Sequence, residues 1–226
     1  MKRSNEECEN TGKETTAQLG KTRDVGTMIG FKREFGIPPM SRWANRFIIA
    51  AIVQGALAAG LTAWLLAISE AWLPGYATSK VVAGGGAGTW LFVGYLVYIL
   101  LGPIAVAVTA LFYQHLETNL NMVYSGWTRL LAWGHIVLMN VGVVGATFLM
   151  MWAGYFGGAL NASLLAKGLT PGAASGQVHT QIMQYYPPYI AAFIGLALLG
   201  ALAGGLGYVV VWRRSLKTPV APPKQP

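Results

Sequence analysis

The stretch RLLAWGHIVLMNVGVVGATFLMMWAGYFGG, residues 129–158, decides how this chain is read. Its one full charge is Arg129, at the first position. About 20 apolar residues at ~1.5 Å rise each span the hydrocarbon core of a bilayer. This run is longer, so it reads as a membrane-spanning helix that tilts or extends past the core. It also carries His135 and Asn140. Polar side chains at membrane depth face protein rather than lipid. The helix is therefore expected to pack against partners, inside this chain or outside it.

Three further runs share its character. Residues 44–69 have Gln54 as their one strongly polar interior residue, and Gly55, Ala59 and Thr62 form a small-residue stripe at helical spacing. Such stripes let helices approach closely. Trp43, Trp64 and Trp72 fall near the ends, where aromatic belts form. Residues 89–113 contain Gly102-Pro103, and a proline that lacks an N–H and clashes with the preceding turn should kink the helix. Residues 187–212 carry Ala197, Gly200, Gly204 and Gly207, a smooth face for tight packing against partner helices. The fold class is all-α: a polytopic membrane protein whose four transmembrane helices form an antiparallel bundle. Residues 1–43 read as a basic, polar tail, 44–214 as the transmembrane domain and 215–226 as a Pro-rich tail.

The connections are less informative. Residues 70–88 end in a GGGAG run, but no Lys-Ser/Thr follows it, so a phosphate-binding loop is disfavoured. Residues 114–128 are short and polar. Residues 159–186 read as a loop with Thr170-Pro171-Gly172, His179 and Tyr185-Tyr186. In it, Asn161-Ala162-Ser163 matches the glycosylation acceptor pattern close to the membrane.

Composition agrees with this reading: the 226 residues are 54% hydrophobic and 11% charged, with a mean hydropathy of +0.47. The first 43 residues lack the early apolar core of a cleavable signal peptide. The lone Cys8 offers neither a disulfide framework nor a thiolate metal site. The net charge of +8 comes from Lys and Arg that fall almost wholly on one side of the four spans. That side holds both tails and Arg129; the other holds only Lys80 and Lys167. The positive-inside rule then predicts a multi-pass protein of the plasma membrane with both termini cytoplasmic. It also explains the charge without nucleic acid.

Candidate chemistry rests on few residues. His115 closes the second span and His135 lies early in the third, so the two could face each other across an antiparallel pair. Two such histidines can hold a haem b axially, or they can line a quinone site. The alternative is that His135 bonds a neighbouring helix and His115 sits at the interface. His179 is a loop residue. No carboxylate lies within a span, since Glu70 and Glu117 sit at span ends. That disfavours an independent channel or transporter, which usually needs an embedded acid. There is no Ser-His-Asp set of plausible spacing, no HExxH and no CxxC, and Met139, Met150 and Met151 read as packing. Asn140, Gly55, Ala197, Gly200, Gly204 and Gly207 are the candidate helix-packing residues.

The pattern from the second span onward resembles the late helices of haem-copper oxidase subunit I. GATFLMMWAGYFGGALNAS (residues 145–163) is similar to the exit of that family's eleventh helix. QYYPPYIAAFIGLALLGALAGGLGYVVVWRRSL (residues 184–216) resembles the next helix, with its Tyr/Pro entry, glycines and basic end. TWLFVGYLVYILLGPIAVAVTALFYQHL (residues 89–116) resembles the preceding helix, which in the family begins with paired haem-ligand histidines. Here Gly94-Tyr95-Leu96 stand there instead, and the copper ligands belong to a part of the family not represented. The resemblance, over residues 44–214, thus implies a ligand-less relative: a non-catalytic accessory subunit of a prokaryotic terminal oxidase. It would have no cofactor in this chain, and haem and copper would reside in partner subunits of the respiratory chain.

Overall fold

A computed structural model describes residues 41–70, 72 and 75–217. The expected tails lie almost wholly outside these residues. Among them all regular structure is helical. Helix α1 is Arg42–Ser69, α2 Thr78–Ala83, α3 Gly88–Asn119, α4 Trp127–Ala166, α5 Pro171–Gln181 and α6 Pro187–Ser215. A single 3-10 turn, Met183–Tyr185, precedes α6. Helices α1, α3, α4 and α6 are long and apolar enough to cross a membrane, as the all-α, four-span reading expects.

The start of α1 is fixed from two sides. Ser41 is its N-cap, and the Ser41 hydroxyl accepts from the Ala44 N–H at 3.0 Å. The neighbouring free donors of the first turn go to the far end of α3. Trp43 N–H donates to Glu117 Oε2 (3.0 Å) and Ser41 N–H to Gln114 Oε1 (2.8 Å). A carboxylate at a helix N-terminus also complements the helix dipole. Trp43 itself is buried in the core beside Tyr113 and Tyr124, not in a lipid-facing belt.

Helix α3 is wound unevenly. Around Pro103, residues Leu100–Ile104 form a π-helical turn, and His115–Asn119 form a second. The buried residues Gly94, Tyr98, Gly102, Val106 and Ala110 recur every four positions. Each such step overshoots an ideal α-helical turn by about 40°. The first half of α3 thereby faces α4, and the second half, after the wide turn, faces α1.

Helix α4 is the centre of the bundle. It packs along α6 on one side and the first half of α3 on another. Glycines set both contacts. A Cβ on Gly142 would overlap the Ala197 backbone, and one on Gly200 the backbone of Met139. On the other side, a Cβ on Gly154 would overlap the Leu91 backbone, and one on Gly94 would lie 2.9 Å from the Thr147 carbonyl oxygen. The face of Ala197, Gly200, Gly204 and Gly207 is thus occupied by α4 of the same chain, not left for a partner helix. Gly55 of the other stripe meets nothing within 4 Å.

The expected loop 159–186 is mostly helix. Helix α4 runs for 40 residues and carries Asn161 within its last turns. It continues through Gly157-Gly158 because both glycines are packed: a Cβ on Gly157 would lie 2.8 Å from Ala87 Cβ, and one on Gly158 would strike Val81. The helix stops at Gly168, where Leu169 N–H bonds the Leu164 carbonyl (3.2 Å) and Gly168 N–H that of Leu165 (2.9 Å). This is the paired bonding of a Schellman cap. Thr170 then caps α5, with Pro171 in its first turn, and Ala174 and Val178 bury that helix against Leu164.

Candidate functional site

Polar groups within the spans form two layers where α1, α3 and α4 meet, and apart from these Thr62 Oγ1 of α1 lies 2.7 Å from the Tyr95 hydroxyl of α3. In the first layer, His135 on α4 is buried, and its Nδ1 lies 3.1 Å from the Tyr113 hydroxyl on α3. Phe47 of α1 stacks on Tyr113 (4.7 Å between ring centroids) and lies 5.1 Å from the imidazole. From α6, Gly204 presents its bare backbone to the same ring, which a Cβ there would overlap. The imidazole is therefore enclosed by four helices of one chain.

The second layer is centred on Gln54 of α1, which is also buried. Its Nε2 donates to Asn140 Oδ1 (2.9 Å), and its Oε1 accepts from the Tyr98 hydroxyl (2.6 Å). Asn140 Nδ2 donates to the Ile136 carbonyl at 2.6 Å. The side chain of each of the three residues is thus bonded to another helix, and a bond of this kind at membrane depth contributes about 0.6 kcal/mol, with an upper value near 1.7. Gly102 lies against Tyr98 and leaves it room, since a Cβ there would sit 3.0 Å from the ring.

The remaining histidines stand apart from these layers. His115 is exposed, and its Nδ1 lies 3.3 Å from Asn119 Nδ2 in the same helix. Two residues of helix turn it about 200° away from Tyr113, which is the residue that reaches His135. The residues present thus do not offer a haem two facing imidazoles: His135 has an inward partner, and His115 points elsewhere. His179 is exposed on α5. Among the described residues, no three His, Cys, Asp or Glu side chains cluster as metal ligands would.

Near the Arg42 end of α1 the His135 layer continues into an aromatic cluster. The Arg46 guanidinium sits 4.4 Å from the Trp43 ring centre and 4.8 Å from that of Trp133, a geometry in which the ring faces attract the cation. Tyr124, in the connection between α3 and α4, packs 5.1 Å from Tyr113. Its hydroxyl is buried without a hydrogen bond among the described residues. Burial first, then Tyr113, Glu117 and Tyr208, pushes this phenol well above its ordinary value, so it stays neutral.

Tyr98 and Tyr113 complete both layers, and sequence reasoning passed over them. A tyrosine inside an apolar span is nonetheless a signal, because a buried phenol seeks a partner. Compared with protein families, curated proteins and solved structures, the chain matches none.

Proposed function

We propose that this chain is a non-catalytic integral-membrane subunit that stabilises a larger membrane complex. One observation carries the reading: the polar side chains of its two embedded layers are bonded to one another. Gln54, Tyr98 and Asn140 close one layer, and Tyr113 and His135 the other. They serve helix packing, and the one carboxylate in the described spans, Glu117, lies in the last turn of α3 and accepts from the Trp43 N–H. Helix α1 supports a role in assembly. Only 6% of its most apolar window is buried within the chain, against 22–33% for the other three spans. A terminal oxidase of the haem-copper type is the complex we propose, on the resemblance of residues 44–214. Haem and copper would then belong to partner subunits. The Lys/Arg distribution supports a plasma-membrane protein with both termini cytoplasmic.

The test is purification of the tagged full-length chain from its native membrane in mild detergent. Co-purification with haem-bearing membrane subunits, and no Soret band from the chain once separated, is the expected result. A Soret band that stays with the separated chain and disappears in His135→Leu would replace this reading with a haem-binding one.

A further inference from the structure

We infer that the seam between α1 and α4, at the Arg42 end of α1, binds the phosphate of an anionic bilayer lipid. Both helices start here and run the same way, since Phe47 lies beside His135 and Gln54 beside Asn140. Arg46 of α1 is half-buried in the seam, with its guanidinium 4.4 Å from the Trp43 ring and 4.8 Å from the Trp133 ring of α4. The two indoles meet edge to face at 5.5 Å and tie the helices together. Arg42 lies one turn before Arg46, and Arg129 one turn before Trp133; both are exposed. Residues four apart on a helix share a face, with about 5–6 Å between Cβ atoms. The guanidinium groups of Arg42, Arg46 and Arg129 therefore flank one stretch of the seam.

These cations have no anion. Among the described residues, none of them forms an ion pair or a side-chain hydrogen bond. Of the carboxylates there, Glu70 caps the opposite end of α1, and Glu117 accepts from the Trp43 N–H. A guanidinium presents its N–H donors in a fork that matches the oxygens of a phosphate. The indoles hold Arg46 in place and leave those donors uncommitted, which lowers the ordering cost of binding.

Depth and the neighbouring surface select a lipid. Helix α1 has 28 residues, about 42 Å of helix against a hydrocarbon core of about 30 Å, so about 6 Å extends past each side. Arg46 stands about 6 Å from the start of the helix, which puts it at the level of the head groups. Tryptophan rings are enriched at that level. Arg42, Arg46, Ile49 and Val53 follow at spacings of four, three and four, so they form one stripe of α1. The stripe passes from cations to apolar side chains that are exposed, as are Leu130 and Val137 on either side of Trp133. Acyl chains of the bilayer cover that apolar part. A phosphate carried by those chains is held beside the arginines at high effective concentration, which a free anion is not. A zwitterionic head group brings its own cation to the same place, whereas a net negative one is attracted by each arginine.

The full-length chain in mild detergent is titrated with phosphatidylglycerol and with phosphatidylcholine of the same acyl chains, and bound lipid is counted by native mass spectrometry. Phosphatidylglycerol should bind about tenfold more tightly, as two or more cations near one anionic head group imply. Arg46→Gln and Arg129→Gln should each weaken phosphatidylglycerol about fivefold, the equivalent of about 1 kcal/mol per cation. The double variant should bind the two lipids alike. Arg46→Gln loses two ring contacts; if it does not fold, as judged by elution and circular dichroism, Arg129→Gln decides alone. Lys80→Gln and Lys167→Gln, exposed beyond the other ends of the spans, should leave the preference unchanged. Inorganic phosphate should release no more phosphatidylglycerol than sodium chloride of equal ionic strength. The inference is overturned if wild type binds both lipids equally, or if folded arginine variants keep the full preference. It is equally overturned if the lysine variants lose as much as the arginine variants, which would leave only a general surface charge effect. Release by inorganic phosphate but not by chloride would assign the arginines to a free anion instead.

Discussion

Gly204 and Gly205 are adjacent and have opposite surroundings. Gly204 lies on the His135 ring, while Gly205 has open space around it. Gly204→Ala should destabilise the chain by about 1–3 kcal/mol through overpacking against the ring. Gly205→Ala should stay within about 0.5 kcal/mol of wild type. Denaturant unfolding in detergent micelles, followed by circular dichroism, would measure both. Equal effects would show that His135 does not depend on this notch. The two buried tyrosines make a second contrast. Tyr113→Phe removes the partner of His135 and should cost about 1 kcal/mol. Tyr124→Phe removes a buried hydroxyl with no bond among the described residues. It should leave stability unchanged or raise it by up to about 1 kcal/mol; the same melts read the difference in sign. At this scale the sequence showed that His135 and Asn140 must face protein, because lipid satisfies neither. It did not show which residues they meet. Tyr113 is 22 positions from His135 and Gln54 is 86 from Asn140, and helix phase at those separations depends on how α3 winds through its π-helical turns.

The helices themselves were legible where hydrophobic length decides, and misread where glycine does. The starts and ends of α1 and the start of α6 follow the apolar runs closely. The end of α4 does not, because Gly157-Gly158 looks like a stop. Here those glycines admit Ala87 and Val81, and tertiary contact outweighs their low helix propensity. The true stop is at Lys167-Gly168, followed by Thr170-Pro171, a cap and a helix start that were present in the residues as a local signal. Gly168 has φ of 86°, a conformation that costs a side chain about 1 kcal/mol. Gly168→Ala should lower stability by roughly that amount. Gly172→Ala, in the first turn of α5 with nothing near its Cβ position, should not. Paired melting curves would decide, and a neutral Gly168→Ala would place the end of α4 elsewhere.

Across the whole molecule the bundle divides into a tight part and a loose one. Helices α4, α6 and the first half of α3 pack through glycine notches, backbone against backbone. Helix α1 is joined differently: by its capped start at Gln114 and Glu117, by aromatic contacts, by Gln54 at mid-span and by the Thr62–Tyr95 hydrogen bond. Such an arrangement should let α1 be supplied as a separate piece. If the chain is divided within residues 70–77 and both parts are co-expressed, the first part should insert and assemble with the second, because each span is stable in lipid as an independent helix. Gln54 makes two bonds across the junction, to Asn140 and to Tyr98. Gln54→Leu should then weaken recovery of the pair by about 5- to 30-fold, the equivalent of about 1–2 kcal/mol for two bonds at membrane depth. Ala59→Leu, on the exposed side of α1, is the matched control and should leave recovery intact. Affinity capture of the tagged second part, with immunoblotting for the first, reads the ratio directly. If Gln54→Leu and Ala59→Leu are recovered equally, α1 is held by its ends, its aromatic contacts and the Thr62–Tyr95 bond, and the mid-span layer contributes little to joining the two parts.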